Sequence, residues 1–120
     1  MPTFIAGATR VEGAGNKPIL IDEFIGRLNS GEARISIALL QCPGGWSEPG
    51  QTPEFEEYTL VLKGMLRITH CDGTMDVHAG QAIITHPREW VQYSSPEPEG
   101  AEYLAVCLPA YSLEKAHRDS

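Results

Sequence analysis

Twelve glycines and nine prolines are spread along 120 residues, so the chain is cut into short segments bounded by turns. Proline removes a backbone donor and glycine loses more conformational freedom on folding than any other residue, so neither extends a helix readily. Short strands joined by turns are the expected solution, and the fold class is all-β. The clearest strands run from Ala33 to Gln41, Tyr58 to Leu62, Met65 to His70, Gln81 to Thr85, Trp90 to Tyr93 and Ala101 to Leu108. Period-two alternation puts Leu66, Ile68 and His70 on one strand face. It likewise puts Glu57, Thr59 and Val61 on an interior face, with Tyr58 and Leu60 opposite. Leu66, Ile68, Ile84 and Val106 are expected to be buried, Gly64 and Gly80 to sit in turns at strand ends, and Asp72-Gly73 to close a hairpin. Ile21 to Leu28 reads as a rival helix, because Ile21, Phe24, Ile25 and Leu28 share a helical face. The polar stretch from Leu113 to Ser120 reads as a loose tail.

The chain is long enough for one hydrophobic core and too short for two. Its formal charge of −7 and pI near 5.0 oppose a phosphate backbone and an anionic membrane alike, so neither nucleic acid nor membrane is an expected partner. Met1-Pro2-Thr3-Phe4 lacks the basic flank and apolar run of a secretory signal, and a cytoplasmic location is the expectation. Cys42, Cys71 and Cys107 are odd in number and widely spaced, which suits reduced thiols better than a disulfide framework or a zinc knuckle. Cys107 stands out, since it sits in a late apolar strand that would face a barrel interior.

The segment from Gly45 to Gly64 carries a recognisable frame. Gly45, Glu57 and Gly64 fall where the first signature of the cupin superfamily has its glycines and glutamate, while Gln51 and Pro53 stand at its two histidines. From Gly80 a second frame follows, with His86-Pro87-Arg88 in place of Pro-x-Gly and Val91 at the last histidine. Ala105 to Ser112 resembles a cupin C-terminal strand with its Pro-aromatic exit. The chain therefore resembles a small single-domain bacterial cupin with degenerate metal-binding motifs. The resemblance implies an antiparallel barrel or jelly roll of six to eight strands, over roughly residues 33–112. Residues 1–32 would be an N-terminal arm in or near a homodimer interface, and 113–120 the tail. Phe4-Ile5 and Ile19-Leu20-Ile21 offer apolar edges for such a dimer.

Of the ligands that the resemblance would supply, only Glu57 is present. Gln51 offers a weak amide oxygen, and Pro53 and Val91 offer nothing, so no cofactor is expected. A divalent transition metal is the alternative, held by Glu57 and Gln51 with His70 or His86. A carboxylate aimed into an apolar barrel needs a partner or a proton. Glu57 is therefore the candidate general acid or base, unless it pairs with Arg67 or Arg88 as a structural ion pair. Gln51, Thr59, His86, Trp90 and Tyr93 complete the candidate ligand-binding set. Trp46 and Phe55 join the last two as aromatic residues that would line the cavity or serve as core filler. The leading expectation is a cavity that binds a small organic molecule without a His-ligated metal. The alternatives are a metal-independent isomerase, lyase or cyclase using Glu57, and a metallo-cupin with atypical ligands.

Overall fold

The computed structural model describes residues 1–120, and its nine strands form one curled antiparallel sheet. In chain order these are β1 (Thr9–Val11), β2 (Leu20–Ile25), β3 (Ser36–Cys42), β4 (Trp46–Ser47), β5 (Glu56–His70), β6 (Gly73–His78), β7 (Ala82–Thr85), β8 (Val91–Ser95) and β9 (Ala101–Leu108). The main path runs β1-β2-β3-β9-β5-β8-β4, with β6 and β7 also paired to β5. The all-β expectation holds, and β9 has the bounds read from the sequence. The rival helix does not form. Leu20–Ile25 is strand β2, paired to both β1 and β3, and the apparent helical spacing comes from a strand followed directly by the Gly26 turn. No helix is long and apolar enough to cross a membrane.

What reads in sequence as two strands, Tyr58 to Leu62 and Met65 to His70, is the single fifteen-residue strand β5. Its first part pairs with β9 and β7, and its second part with β6 and β8. A register shift between Val61 and Lys63 changes the phase, so Glu57, Thr59 and Val61 point inward before it and Leu66 and Ile68 after it. Gly64 is therefore a bend within a strand, not a turn at its end. Its φ is +73, and a Cβ there would land on the carbonyl oxygen of Gly100. Gly80 does occupy a turn, between β6 and β7, with φ +86 and open space where a Cβ would go. The β5–β6 hairpin forms as read, but its turn residues are Cys71 and Asp72, because His70 pairs with Gly73.

Trp46, Val61, Leu66, Ile68, Tyr93 and Tyr103 anchor the main core. Phe55, Cys107 and Ala116 form a smaller cluster against Tyr111. Two burial expectations fail: Ile84 is 50% exposed and Val106 is only half-buried. In β9 the inward positions are Ala101, Tyr103, Ala105 and Cys107, so Val106 necessarily faces out. Tyr58, Leu60, Leu62, Ile84 and Leu108 are likewise exposed, and the register places Tyr58 beside both Ile84 and Val106. The outer face of this half of the sheet is thus apolar.

The last residues are not loose. Ser112 caps the short helix α1 (Leu113–Ala116) by accepting the Lys115 N–H, and Ala116 is fully buried. Backbone bonds from Thr52 to His117, Glu54 to Lys115 and Asp119 to Gly50 then zip 115–119 onto 50–54. A polar composition conceals this docking, because main-chain groups make it.

The two glycines predict different costs. Gly64→Ala should destabilise the protein by at least about 2 kcal/mol, combining positive φ with a backbone clash, whereas Gly80→Ala should cost only about 1 kcal/mol from φ alone. Urea unfolding of both variants checks this, and equal midpoints would contradict the assigned role of Gly64.

Candidate active site

The curl of the sheet shapes a partly open cavity of about 530 Å³. β5 brings Glu57 to its wall, 7% exposed, between its rung partners Cys107 of β9 and Thr85 of β7. Cys107 Sγ lies 3.7 Å from Glu57 Oε1, and Thr59 Oγ1 lies 3.5 Å from Oε2. Thr85 and Tyr93 share a hydrogen bond of 3.0 Å between their hydroxyls. Gln51 is held in the wall by reciprocal backbone bonds to Val91, each 2.9 Å. The zipped C-terminal segment delivers Arg118 and the stretch before α1 delivers Tyr111, while Ile19, Ile21, Ala38 and Leu40 make another part of the lining apolar.

Glu48 and Arg118 are cavity residues that sequence reasoning missed, and Glu48 carries the acidic chemistry. It lies in the loop between β4 and β5, beside Pro49, and faces the same cavity as Glu57. Glu48 is half-buried by accessible surface, and burial among the cavity residues desolvates its carboxyl. Burial, reinforced by the charge of Glu57 and opposed by that of Arg118, pushes its pKa up to about 8. Burial pushes Glu57 up to about 7, with hydrogen bonds from Cys107, Thr59 and Tyr93 pulling the other way. Burial also raises the Cys107 thiol and the Tyr93 and Tyr103 phenols, so all three remain protonated donors at neutral pH.

Of the candidates read from the sequence, Gln51, Glu57 and Tyr93 meet at the cavity. Thr59 is buried next to Glu57 and touches its carboxyl, behind the cavity wall. Trp90 lies outside, its ring on the backbone of Gly50 and its indole N–H donating to Asp119 at 2.9 Å. His86 is exposed and faces Glu56 at 3.3 Å, and the His70 Nδ1 accepts the Asp72 N–H at the β5–β6 turn. His70, Cys71 and Asp72 cluster there, away from the cavity. Trp46 and Phe55 are core residues. The suggested arginine partners are also elsewhere: Arg67 pairs with Asp76 at 2.7 Å across β5–β6, and Arg88 is exposed. Arg88 has φ +66, at the place where the resembled second motif carries glycine.

These donors do not fit a transition-metal centre. Glu57 and Glu48 share the cavity with an amide, a neutral thiol and three phenols, no imidazole reaches it, and the charge of Arg118 acts on Glu48. Imidazole or thiolate donors normally hold such ions, and the cation already present would oppose a second one.

A raised carboxyl pKa has a definite sign in stability. The unfolded chain releases the Glu57 proton near 4.5 and the folded chain near 7, so between these values the unfolded state binds fewer protons and stability falls as pH rises. Glu57→Gln should therefore flatten this fall and make the protein more stable than wild type above pH 7, by about 1 to 3 kcal/mol. Thermal melts across pH 5 to 9 test it. Parallel wild-type and variant curves would contradict a desolvated Glu57.

No family model matches the chain. It is 34% identical over 100 residues to a protein of Myxococcus xanthus named endoribonuclease YbeY, a match covering 83% of this chain and 34% of that protein. The chain thus spans about a third of that curated relative. Among solved structures it is similar to the polyketide cyclase RemF of Streptomyces resistomycificus, with a TM-score of 0.70, 17% identity, and coverage of 98% of this chain and 89% of that one. A predicted oxalate decarboxylase of Thermotoga maritima superposes with a TM-score of 0.73 at 16% identity, over 91% of this chain and 99% of that one. The curled antiparallel sheet, the bend at Gly64 and these neighbours agree: the chain is a small protein of the cupin fold.

Proposed function

We propose that the cavity binds a small organic molecule without a His-ligated metal and transfers a proton on it, with Glu57 as base and Glu48 as acid. The sequence leaves binding and proton transfer open. What favours transfer is that two of the carboxyls lining one cavity, Glu57 and Glu48, are desolvated, which raises their pKa values to about 7 and about 8. Between those values one is ionised and the other protonated, which is the arrangement that general acid–base chemistry needs near neutral pH. Glu57 would take a proton from carbon beside a carbonyl while Glu48 donates to the carbonyl oxygen. Tyr93 and Gln51 would orient that oxygen, and the apolar wall would exclude water.

The names of RemF, a polyketide cyclase, and of the Thermotoga protein, a predicted oxalate decarboxylase, belong to reactions of small organic molecules and accord with this reading. Ribonuclease activity, the name of the Myxococcus relative, is disfavoured. This chain spans 34% of that protein, and its charge of −7 and the two cavity carboxyls repel phosphates. The apolar outer face bearing Tyr58, Leu60, Leu62 and Ile84 suits a homodimer. Light scattering should then return twice the chain mass, and a monomer at all concentrations would end that idea.

Proton transfer is tested by solvent deuterium exchange into small ketones and keto acids, phenylacetone and phenylpyruvate among them. Wild type should exceed the buffer rate, with Glu57→Gln and Glu48→Gln slower by about 10²- to 10⁴-fold while remaining folded. The rate should rise as Glu57 ionises through about 7 and fall as Glu48 ionises through about 8. These are apparent values of an interacting pair, so the optimum is narrow. Exchange at the buffer rate across the panel, or unaffected by either substitution, would sink the proposal.

A further inference from the structure

Arg118 is a cavity residue with unfinished bonding. Its Nη2 donates to the Tyr111 hydroxyl at 2.8 Å, but its Nε is buried with no hydrogen-bond partner. It makes no ion pair, although arginines 10, 34 and 67 each have an acidic partner within 2.9 Å. A buried donor without an acceptor costs about 1 to 3 kcal/mol, more when charged, so a protein that keeps one gains from the acceptor it meets later. The position is also built. Gln51 bridges to Arg118 through the backbone, Asp119 donates to the Gly50 carbonyl, and the guanidinium carbon lies 5.9 Å from the Tyr111 ring centre. These contacts hold the arginine at the cavity wall, with Nε closed to solvent and without an acceptor.

From this geometry we infer that the cavity selects a small organic acid, whose carboxylate accepts from the Arg118 fork while its hydrocarbon body lies against Ile19, Ile21 and Leu40. Arginine presents parallel N–H groups that match two carboxylate oxygens, and such bonds are about twice as strong as neutral ones. Charge selects the class further. Two arginines, Arg27 and Arg118, and four glutamates, Glu12, Glu23, Glu48 and Glu57, line the cavity, so a single added negative charge meets less repulsion there than the two of a phosphate dianion. The 530 Å³ volume suits an acid of one ring or a short chain. The inference rests on the cavity being the ligand site, and it names the substrate class for the proposed proton transfer.

The test uses matched acids and amides, titrated into the full chain and followed by protein NMR: benzoate with benzamide, phenylacetate with phenylacetamide. Each acid should bind about ten-fold or more tightly than its amide. Arg118→Gln should reduce that preference to about three-fold or less, and Arg118→Lys, which retains the charge but not the fork, should keep part of it. The wild-type comparison decides the matter even if Arg118→Gln loosens the C-terminal segment. Equal binding of acids and amides, no binding of either acid, or a preference that survives Arg118→Gln would overturn the inference. The two proposals fail separately. Acid preference with no deuterium exchange would remove only the proton-transfer reading, and Glu57-dependent exchange without acid preference would remove only this one.

Discussion

The passage of β5 from one half of the sheet to the other at Gly64 organises everything else. A strand of fifteen residues supplies rungs to β9 and β7 before the bend and to β6 and β8 after it, so the sheet curls around its own inner face. The phase shift near Val61 keeps that face continuous, since without it Leu66 and Ile68 would turn to solvent. Close approach of the Gly100 carbonyl leaves no space for a side chain at the bend, and the positive φ disfavours one as well. The cavity is a consequence of this curl. Glu57 reaches it because it precedes the bend on the inward side.

Placing two carboxyls inside this barrel is costly unless their charge is compensated. In the frame that the chain resembles, a metal ion would supply the compensation. In the metal-free cavity proposed here the balance is a proton on Glu48, hydrogen bonds from Cys107 and Thr59 to Glu57, and the guanidinium of Arg118. The raised pKa values measure the incompleteness of that balance, and incompleteness leaves the groups able to exchange protons near pH 7. On this account the absence of histidines at Gln51, Pro53 and Val91 and the presence of Glu48 and Arg118 belong to one electrostatic arrangement.

Glu57 was legible in the sequence because a strand's alternation states which way each residue points once one of them is assigned. Gln51 and Tyr93 followed from the spacing of the two frames. Glu48 and Arg118 were not legible. Glu48 lies in a loop without periodicity, and Arg118 is carried by a polar segment whose docking depends on main-chain hydrogen bonds. Ile84 and Val106 misled for the converse reason. The inner face of β9 holds alanines, a tyrosine and a cysteine, while the outer face carries the larger aliphatic groups, so hydrophobicity alone points the wrong way. Trp90 and His86 lie beside the second frame in sequence but on its outer side, a distinction that spacing along the chain does not contain.

The central claim is that Glu48 and Glu57 form a desolvated carboxyl pair that titrates near neutrality. Carboxyl carbon-13 shifts of glutamate-labelled protein, assigned through Glu48→Gln and Glu57→Gln and followed from pH 4 to 10, measure it directly. The account predicts two interacting resonances with apparent midpoints of about 7 and about 8, above the ordinary glutamate value of 4.5. Midpoints for both carboxyls at or below 5 would contradict it.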